Sequence, residues 1–388
     1  MKRRIGVVTG TRAEFGILKP LLKKIEEDKN LDLKLLVTGM HLLKKYGSTI
    51  NEIKDSGFDI SATIDMYDEN LNPDYHGKSL ARSIEKFTNV LLKIKPDILI
   101  VLGDRLEALA ATLAAAILKI PIAHIQGGDK TDSGHIDESI RHSITRFANI
   151  HFTATQEHSK RLIKTGEESW RIFKVGSLGL DSIIGLEAID ENKLSKKTGI
   201  NVLKPLIICL FHPVSIEVDS IGEQIKEIME SIDELKIQSI IIYPNNDVGS
   251  EKIISEINKY DNKPLMKIVP NLSHFEYISL LKYAGEHQGV LVGNSSSGII
   301  EAPSFKLPVI NIGARNVGRE HAENAIFIEP KKRDITEKIE MALYNEEFRK
   351  KVKHCVNPYG DGKTSERIVK VLNEIVIDKK LLQKKITY

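Results

Sequence analysis

Residues 96–129, PDILIVLGDRLEALAATLAAAILKIPIAHIQGGD, decide the fold. They begin with an apolar run, residues 96–102, which ends at Gly103. A segment of helical sequence follows, and a second apolar run, residues 121–124, leads to two glycines. A buried strand, a helix and a further buried strand in this order make a crossover unit of a parallel sheet. The stretch therefore predicts an open α/β sheet.

Carboxylates come directly after the glycine turns that end both strands. Asp104 follows Gly103, and Asp129 follows Gly128. Open α/β sheets bind their ligands outside the carboxyl ends of the strands. We therefore expect Asp104 and Asp129 to lie at a ligand-binding edge. The alternative for Asp104 is that it only caps the helix that follows.

The next helix begins with a group of charged residues, IDESIRH. Asp137 and Arg141 are four residues apart, as are Glu138 and His142, so each pair shares a helix face. Several carboxylates around one site suit proton-transfer chemistry. The alternative is that Asp137 and Glu138 only stabilise a helix N-terminus.

The alternation of strand and helix continues on both sides of this stretch. A new series of strands starts after the polar residues 192–199, and each strand ends in a polar turn. Its five apolar runs are residues 206–211, 239–243, 266–269, 290–293 and 308–312. We predict an α/β protein with two Rossmann-like, doubly wound parallel-sheet domains that face a central cleft. The expected bounds are residues 1–175 and 176–364, with a C-terminal helix, residues 365–388, packing back across the domains.

Composition narrows the classes of protein. The chain has 388 residues, of which 28% are charged, and its net charge of +3 is too small to indicate nucleic-acid binding. No apolar run reaches the length of a membrane span, and the basic N-terminus leads into a strand rather than a signal peptide. Cys209 and Cys355 are far apart and lack metal-site spacing. We expect a cytoplasmic enzyme without metal or other cofactor, and without a nucleic-acid or membrane partner.

Two glycine turns that open helices predict anion binding. Arg12, in GTRAE, adds a guanidinium that suits phosphate, although the turn lacks the GxGxxG dinucleotide fingerprint. The second turn is GNSSSG, residues 293–298. Its backbone N–H groups and the hydroxyls of Ser295 and Ser296 could hold a diphosphate. The alternative is a flexible turn with a serine N-cap.

Four more residues are candidates for the same binding site. Glu301, one helical turn further on, could accept hydrogen bonds from two ribose hydroxyls. Arg315 and Arg319 lie in the loop after another strand and either contact phosphate or remain solvated. His212 follows the strand LIICLF, where catalysis or phosphate contact competes with a packing role.

Seven motifs follow one another along the chain from Ile5 to about Val371: GTRAEFG, LGDR, GGD with IDESIRH, FHP, GNSSSGIIEAP, INIGARNVGRE and NPYGDG. Taken in order, they resemble the motifs of the UDP-N-acetylglucosamine 2-epimerases. The pattern is most similar to the hydrolysing branch, which makes free N-acetylmannosamine for sialic acid synthesis. The resemblance implies a GT-B architecture and a reaction in two steps. Anti elimination of UDP gives 2-acetamidoglucal, and water then adds with inversion at C2.

The resemblance also implies roles for the candidate residues. The acid/base candidates are Asp104, Asp129 and Asp137, in an order that remains open, and His212 is a catalytic or leaving-group residue. The partners are UDP-N-acetylglucosamine or a related nucleotide sugar and further copies of the chain, as a dimer or tetramer. The expected substrate or UDP contacts are Arg12, Glu138, Ser295, Ser296, Glu301, Arg315 and Arg319.

The chain departs from the hydrolysing pattern at Leu102, where that branch has histidine, and at Gln126 and Asp129. These departures leave the sugar and the nucleotide open. GDP-N-acetylglucosamine and a 6-deoxy di-N-acetyl sugar of a legionaminic-type pathway are alternatives, and the non-hydrolysing branch is a further one. A GT-B glycosyltransferase or a non-catalytic nucleotide-sugar-binding regulator would share the fold.

Overall fold

The computed structural model describes residues 2–44, 48–67, 73–130, 136–214, 219–244 and 249–387, with the side chains of residues 73–76 left out. The chain divides into two compact units. The first unit comprises the described residues of 1–130, 134–184 and 359–388, and the second comprises those of 185–358.

The first unit is built on a seven-stranded parallel sheet with the strand order β3-β2-β1-β4-β5-β6-β7. All five residues of its fourth strand, ILIVL, are buried, as expected for a parallel strand covered on both faces. Its strands are β1 (Arg3–Thr9), β2 (Leu31–Thr38), β3 (Ile60–Ile64), β4 (Ile98–Leu102), β5 (Ile122–Ile125), β6 (Ile150–Thr153) and β7 (Ile172–Lys174). Its helices are α1 (Arg12–Glu27), α2 (Ile50–Asp55), α3 (Pro73–Ile94), α4 (Leu106–Ile117), α5 (Ile136–Phe147), α6 (Gln156–Lys164), α7 (Leu178–Asp181), α15 (Thr364–Glu374) and α16 (Lys379–Leu382).

The second unit is built on a six-stranded parallel sheet with the order β10-β9-β8-β11-β12-β13. Its strands are β8 (Leu206–Leu210), β9 (Ser239–Ile242), β10 (Met266–Val269), β11 (Gly289–Gly293), β12 (Val309–Ile312) and β13 (Ala325–Ile328). Its helices are α8 (Glu191–Thr198), α9 (Ile221–Leu235), α10 (Ser250–Asn258), α11 (His274–Glu286), α12 (Ser297–Ile300), α13 (Lys332–Tyr344) and α14 (Glu346–His354).

Two short edge strands extend the sheets beyond the sequence prediction. β7 has three residues, IFK, and β13 has four, AIFI. The three residues of β7 are too few to show the period of a strand. AIFI is as long as the four-residue apolar runs that did predict strands, and the sequence prediction missed it. The predicted strand–helix–strand unit of residues 96–129 is confirmed as β4, α4 and β5, in which β4 pairs with β5 in parallel.

The first unit continues beyond the expected boundary at residue 175 and takes up the chain again at residue 359. Leu178 and Leu180 are fully buried and hold the extension in place. From the C-terminal segment, Ile368, Leu372 and Leu381 are fully buried in the core of the first unit, together with Leu18 of α1. These apolar contacts make the C-terminal helices part of the first unit.

Arg171 fixes the end of the chain to the first unit. Its side chain is fully buried, and its guanidinium donates hydrogen bonds to the carbonyl oxygens of Leu381 (2.7 Å), Lys380 (2.9 Å) and Gln383 (3.2 Å). The Nε atom donates to Glu168 at 2.7 Å. A buried cation that satisfies several carbonyls at once couples the C-terminal segment to the stability of the unit.

We expect Arg171→Met to lower the free energy of unfolding by about 3 kcal/mol, because it keeps the apolar volume but leaves buried carbonyls without donors. Urea unfolding followed by circular dichroism measures the loss. Lys379→Met, at an exposed position of α16, is the control and should change the midpoint little. Equal midpoints for the two variants would contradict this role of Arg171.

Candidate functional site

Arg141, on α5, is the centre of the candidate site in the first unit. Its side chain is almost completely buried, and its guanidinium contacts the carboxylates of Asp104 and Glu138. It also donates to the backbone carbonyl of Asp129 at 3.3 Å. Burial opposes its charge, but Asp104, Glu138 and Asp129 outweigh that effect and raise the pKa of Arg141. The structure thus brings together the turns after β4 and β5 and the first turns of α5.

The turn that carries Asp129 is fastened to α6. The Nε2 atom of His158 lies 3.4 Å from Oδ1 of Asp129, and the guanidinium of Arg161 donates to the Gly128 carbonyl. Gly128 has φ +81°, and a Cβ atom there would lie 2.5 Å from the His158 carbonyl oxygen. A side chain at this position would clash with the backbone of α6, so the turn requires glycine here.

One of the two pairs expected along α5 is confirmed, because Oε1 of Glu138 lies 3.1 Å from Nε2 of His142. Arg141 forms its ion pair on this helix with Glu138, three residues before it. Asp137 occupies the first turn of α5 and is half-buried. Residues 131–135, which belong to the same motif, lie outside the described residues.

His124 holds the turn before Asp104 in place through hydrogen bonds. It is fully buried, with Nε2 2.8 Å from the Gly103 carbonyl oxygen and Nδ1 3.1 Å from the Thr145 hydroxyl. Burial lowers the pKa of His124 to about 3, so the ring is neutral at physiological pH. The sequence placed His124 only at the end of an apolar run.

Glu107 is a buried carboxylate that the sequence analysis missed. It is 1% exposed, and its carboxylate faces Arg105, with Nε 3.3 Å from Oε2. Two glycines make room for it. A Cβ atom at Gly10 would lie 2.8 Å from its Cγ, and one at Gly39 would lie 2.6 Å from its Oε1. The ends of β1, β2 and β4 therefore share one acidic side chain.

Glu14 stands beside this carboxylate. It completes a capping box at the start of α1, accepting from the backbone N–H of Gly10 at 2.7 Å and of Thr11 at 3.1 Å. Burial, and then the charge of Glu107, raise the pKa of Glu14 to about 7. Two carboxylates that cannot both ionise freely are typical of functional sites.

Arg12 is the exposed member of the same region. Its side chain is 74% exposed and pairs with Glu52 of α2 at 2.9 Å. Such an exposed ion pair contributes about 0–1 kcal/mol. It is therefore weak enough for Arg12 to exchange Glu52 for an anionic ligand, and the expected phosphate contact stays a prediction.

Asn294 is the centre of the candidate site in the second unit. It is 1% exposed; its Nδ2 donates to the His212 carbonyl (2.9 Å), and its Oδ1 accepts from the His212 backbone N–H (2.7 Å). Its own carbonyl accepts from Arg315 (3.1 Å) and Asn316 (3.0 Å). One amide thus joins the turns that follow β8, β11 and β12.

The serine turn is ordered by hydroxyl groups. Ser297 donates from its backbone N–H to Oγ of Ser295 at 3.3 Å, and the two Oγ atoms are 3.1 Å apart. The Tyr277 hydroxyl bonds to Ser297, a contact that the sequence did not indicate. Ser296 is the N-cap of α12. Gly293, with φ +135°, admits no side chain because a Cβ atom would lie 2.1 Å from the Leu210 carbonyl oxygen.

Glu301, at the end of α12, is an acceptor without a donor. Its Oε2 atom is buried and has no hydrogen-bond partner within the part of the chain that the structure describes. Burial raises the pKa of Glu301 to about 7. Such an open acceptor could be satisfied by a hydroxyl group of a ligand or by water.

Two candidates of the second unit remain, His212 and Arg319. Burial, and then the charge of Arg315, lower the pKa of His212 to about 4, so His212 is neutral at physiological pH. Arg319 donates from its backbone N–H to the Asn316 carbonyl at 3.2 Å. Among the described residues, no group of three His, Cys, Asp or Glu could hold a metal ion, and no helix is long and apolar enough to cross a membrane.

The family profile described as UDP-N-acetylglucosamine 2-epimerase matches residues 23–373. The chain is 38% identical over 385 residues to the UDP-N,N'-diacetylbacillosamine 2-epimerase (hydrolyzing) of Legionella pneumophila, covering 99% of both chains. It is 34% identical to the UDP-N-acetylglucosamine 2-epimerase of Neisseria meningitidis, covering 96% of this chain and 95% of that protein.

Solved structures show the same fold. The UDP-GlcNAc 2-epimerase of Neisseria meningitidis, solved with UDP-GlcNAc bound, superposes with a TM-score of 0.77 at 20% identity, covering 96% of this chain and all of that one. The UDP-GlcNAc 2-epimerase of Methanocaldococcus jannaschii gives 0.75 at 22% identity, covering 95% and 99%. The architecture is GT-B-like, as the sequence predicted.

The raised pKa of Glu14 predicts a pH dependence of stability. The folded pKa is about 7 and the ordinary value is 4.5, so its contribution is complete below pH 4.5 and is lost as the pH rises to 7. Glutamine mimics the protonated form. Between pH 4.5 and 7, wild type should lose about 2 kcal/mol of unfolding free energy relative to Glu14→Gln.

Urea unfolding at a series of pH values provides the test. Glu26→Gln, at an exposed position of α1, is the control and should parallel wild type. Parallel curves for wild type and Glu14→Gln would mean that the Glu14 carboxyl is not protonated in the folded protein.

Proposed function

The chain belongs to the UDP-N-acetylglucosamine 2-epimerase family, and within it we propose a hydrolysing 2-epimerase of a UDP-linked 2-acetamido sugar. A carboxylate removes the C2 proton, the electron pair forms the C1=C2 double bond, and the C1–O bond breaks to release UDP. Water then adds its oxygen to C1, and a proton returns to the opposite face of C2. With UDP-N-acetylglucosamine the products are UDP and N-acetylmannosamine.

The observation that carries this proposal is the gathering of Asp104, Asp129 and Glu138 around the buried guanidinium of Arg141. The C2 proton is weakly acidic, so its removal requires a base that is fixed and ionised. The buried guanidinium of Arg141 fixes the position of the Asp104 carboxylate. We propose Asp104, Asp129 and Asp137 as the acid/base residues and Glu138 as a substrate contact.

The second unit is proposed to hold the nucleotide. The hydroxyls and backbone N–H groups of Ser295 and Ser296 would bind the diphosphate, and Arg315 and Arg319 would neutralise it. Glu301 would accept from the ribose hydroxyls. Neutral His212 can donate a hydrogen bond to the departing phosphate, and Arg12 of the first unit is proposed to favour the same developing charge.

A second candidate substrate follows from the relatives. The Legionella pneumophila protein and a 35% identical protein of Campylobacter jejuni, which covers 84% of both chains, carry names that specify N,N'-diacetylbacillosamine. That 6-deoxy di-N-acetyl sugar undergoes the same reaction at C2. It is therefore tested beside UDP-N-acetylglucosamine.

The direct test is incubation with each UDP sugar in deuterated water, followed by NMR. The proposal requires released UDP and a free 2-epimer with deuterium at C2. An epimer that stays linked to UDP would indicate the non-hydrolysing reaction. Unchanged substrate would indicate a glycosyltransferase that needs an acceptor, or a binding protein without turnover.

Glu301→Ala should weaken UDP binding by about 1–3 kcal/mol, because two ribose hydroxyls lose their common acceptor. Isothermal titration calorimetry measures the affinity. Glu251→Ala, an exposed carboxylate of α10, is the matched control. Unchanged UDP affinity in Glu301→Ala would remove Glu301 from the site.

Asp104→Asn, Asp129→Asn and Asp137→Asn should each lower turnover by about 10²–10⁴ while UDP affinity stays within about threefold, since a proton-transfer group acts in the transition state. Variants of the first step should also slow deuterium exchange at C2, whereas variants of the hydration step should accumulate 2-acetamidoglucal. Asp55→Asn, on exposed α2, controls for loss of an acidic side chain. Near-normal turnover in all three variants would remove the proposed acid/base site.

A further inference from the structure

A cavity of about 930 Å³ lies within the second unit, away from the candidate nucleotide site. Gln288 and Pro308 line it, and these residues directly precede β11 and β12. The serine turn and Arg315 follow the same strands at their opposite ends. The cavity therefore lies at the amino edge of the sheet, whereas the candidate nucleotide site lies at the carboxyl edge. We call it the basic cavity.

Positive charge dominates its lining. Two carboxylates, Glu286 and Glu346, face five lysine and arginine side chains, so the net charge is 5 − 2 = +3 with histidine neutral. The whole chain also sums to +3. The rest of the protein is therefore balanced, and its excess charge is concentrated here. The five cationic residues are Lys282, Lys306, Arg349, Lys350 and Lys353.

Across the described ranges, none of the five cationic groups lies within 4 Å of a carboxylate oxygen. Lys306 donates to the Cys355 carbonyl at 2.6 Å and Arg349 to the Ala342 carbonyl at 3.2 Å, contacts that leave the charges in place. Burial lowers the pKa of Arg349, which shows a cation partly withdrawn from water without an anion beside it.

Helix α14 directs like charges to the cavity. Arg349 and Lys353 are four residues apart on this helix, and both line the cavity, as does Lys350. Such spacing of like charges destabilises a helix unless an anion lies between them. The helix dipole accounts for cations in the last turn of α14. It does not account for Lys282 and Lys306, which come from other segments.

We propose that the basic cavity binds a nucleotide-type polyanion, with its phosphates on the cations of α14 and its ring against Tyr344 or Phe305, both of which line the cavity. Its volume lies within the range of ligand pockets. Arginine and lysine together suit phosphate, and an aromatic side chain suits a base. The inference does not depend on the proposed enzymatic function.

The test titrates ADP and inorganic pyrophosphate separately into the full-length protein by calorimetry. The double variant Lys350→Gln/Lys353→Gln should weaken binding of both probes by about tenfold or more, because two phosphate contacts are lost. Lys351→Gln is the matched control, since Lys351 is exposed on the same helix but does not line the cavity. Tyr344→Ala, at an exposed position, should weaken the binding of ADP and leave the binding of pyrophosphate unchanged.

Each other outcome would overturn the proposal. Absence of binding at millimolar concentration would show a solvated surface, and an equal loss in Lys351→Gln would show a diffuse charge effect. Loss of ADP binding in Glu301→Ala with retention in the double variant would place ADP only in the nucleotide site. A hepta-glutamate peptide that binds more tightly than ADP and displaces it would show a docking surface for an acidic protein.

Discussion

The contact between the buried guanidinium of Arg141 and the Asp104 carboxylate is the interaction on which the first unit's site depends. Without that cation, the carboxylates of Asp104 and Glu138 and the Asp129 carbonyl would present only negative potential to one another, and a buried charge without a partner is strongly destabilising. With it, the ends of β4 and β5 and the start of α5 have one arrangement. The same cation holds the Asp104 carboxylate at a fixed position, so this contact orders a group that we propose as an acid/base residue.

The second unit joins the ends of its strands through an uncharged side chain, that of Asn294. Asn294 uses its amide as both donor and acceptor toward His212, and its carbonyl receives Arg315. The Asn294 amide therefore adds no charge beside the candidate ligand site. His212 remains neutral and Glu301 is held partly protonated, so the site favours an anionic ligand with hydroxyl donors more than an ionic network would.

The sequence predicted the fold well because parallel strands buried on both faces appear as unbroken apolar runs. It also predicted which turns carry Asp104, Asp129 and Glu301, since polar residues at strand ends are visible in the chain itself. It could not predict that Arg141 would join Asp104, 37 residues away, because that contact depends on how α5 lies on the sheet. Local spacing suggested Asp137 for Arg141, whereas the three-residue separation from Glu138 gives the observed pair.

A repeated signal in the sequence does explain the missed carboxylates. GTRAE after β1 and GDRLE after β4 share the pattern GxRxE, and these two strands are neighbours in the sheet. In each turn the arginine comes two residues after the glycine and the glutamate four residues after it. Arg12 is exposed, whereas Arg105 is half-buried with its Nε 3.3 Å from Oε2 of Glu107. Glu107 is held between the glycines of two turns, Gly10 and Gly39, so the close approach of the backbones requires residues without side chains there. Because burial and the charge of Glu107 raise the pKa of Glu14 to about 7, the pair carries less negative charge near neutral pH than two ionised carboxylates would, and Arg12 and Arg105 keep more of their positive potential at the edge of the sheet.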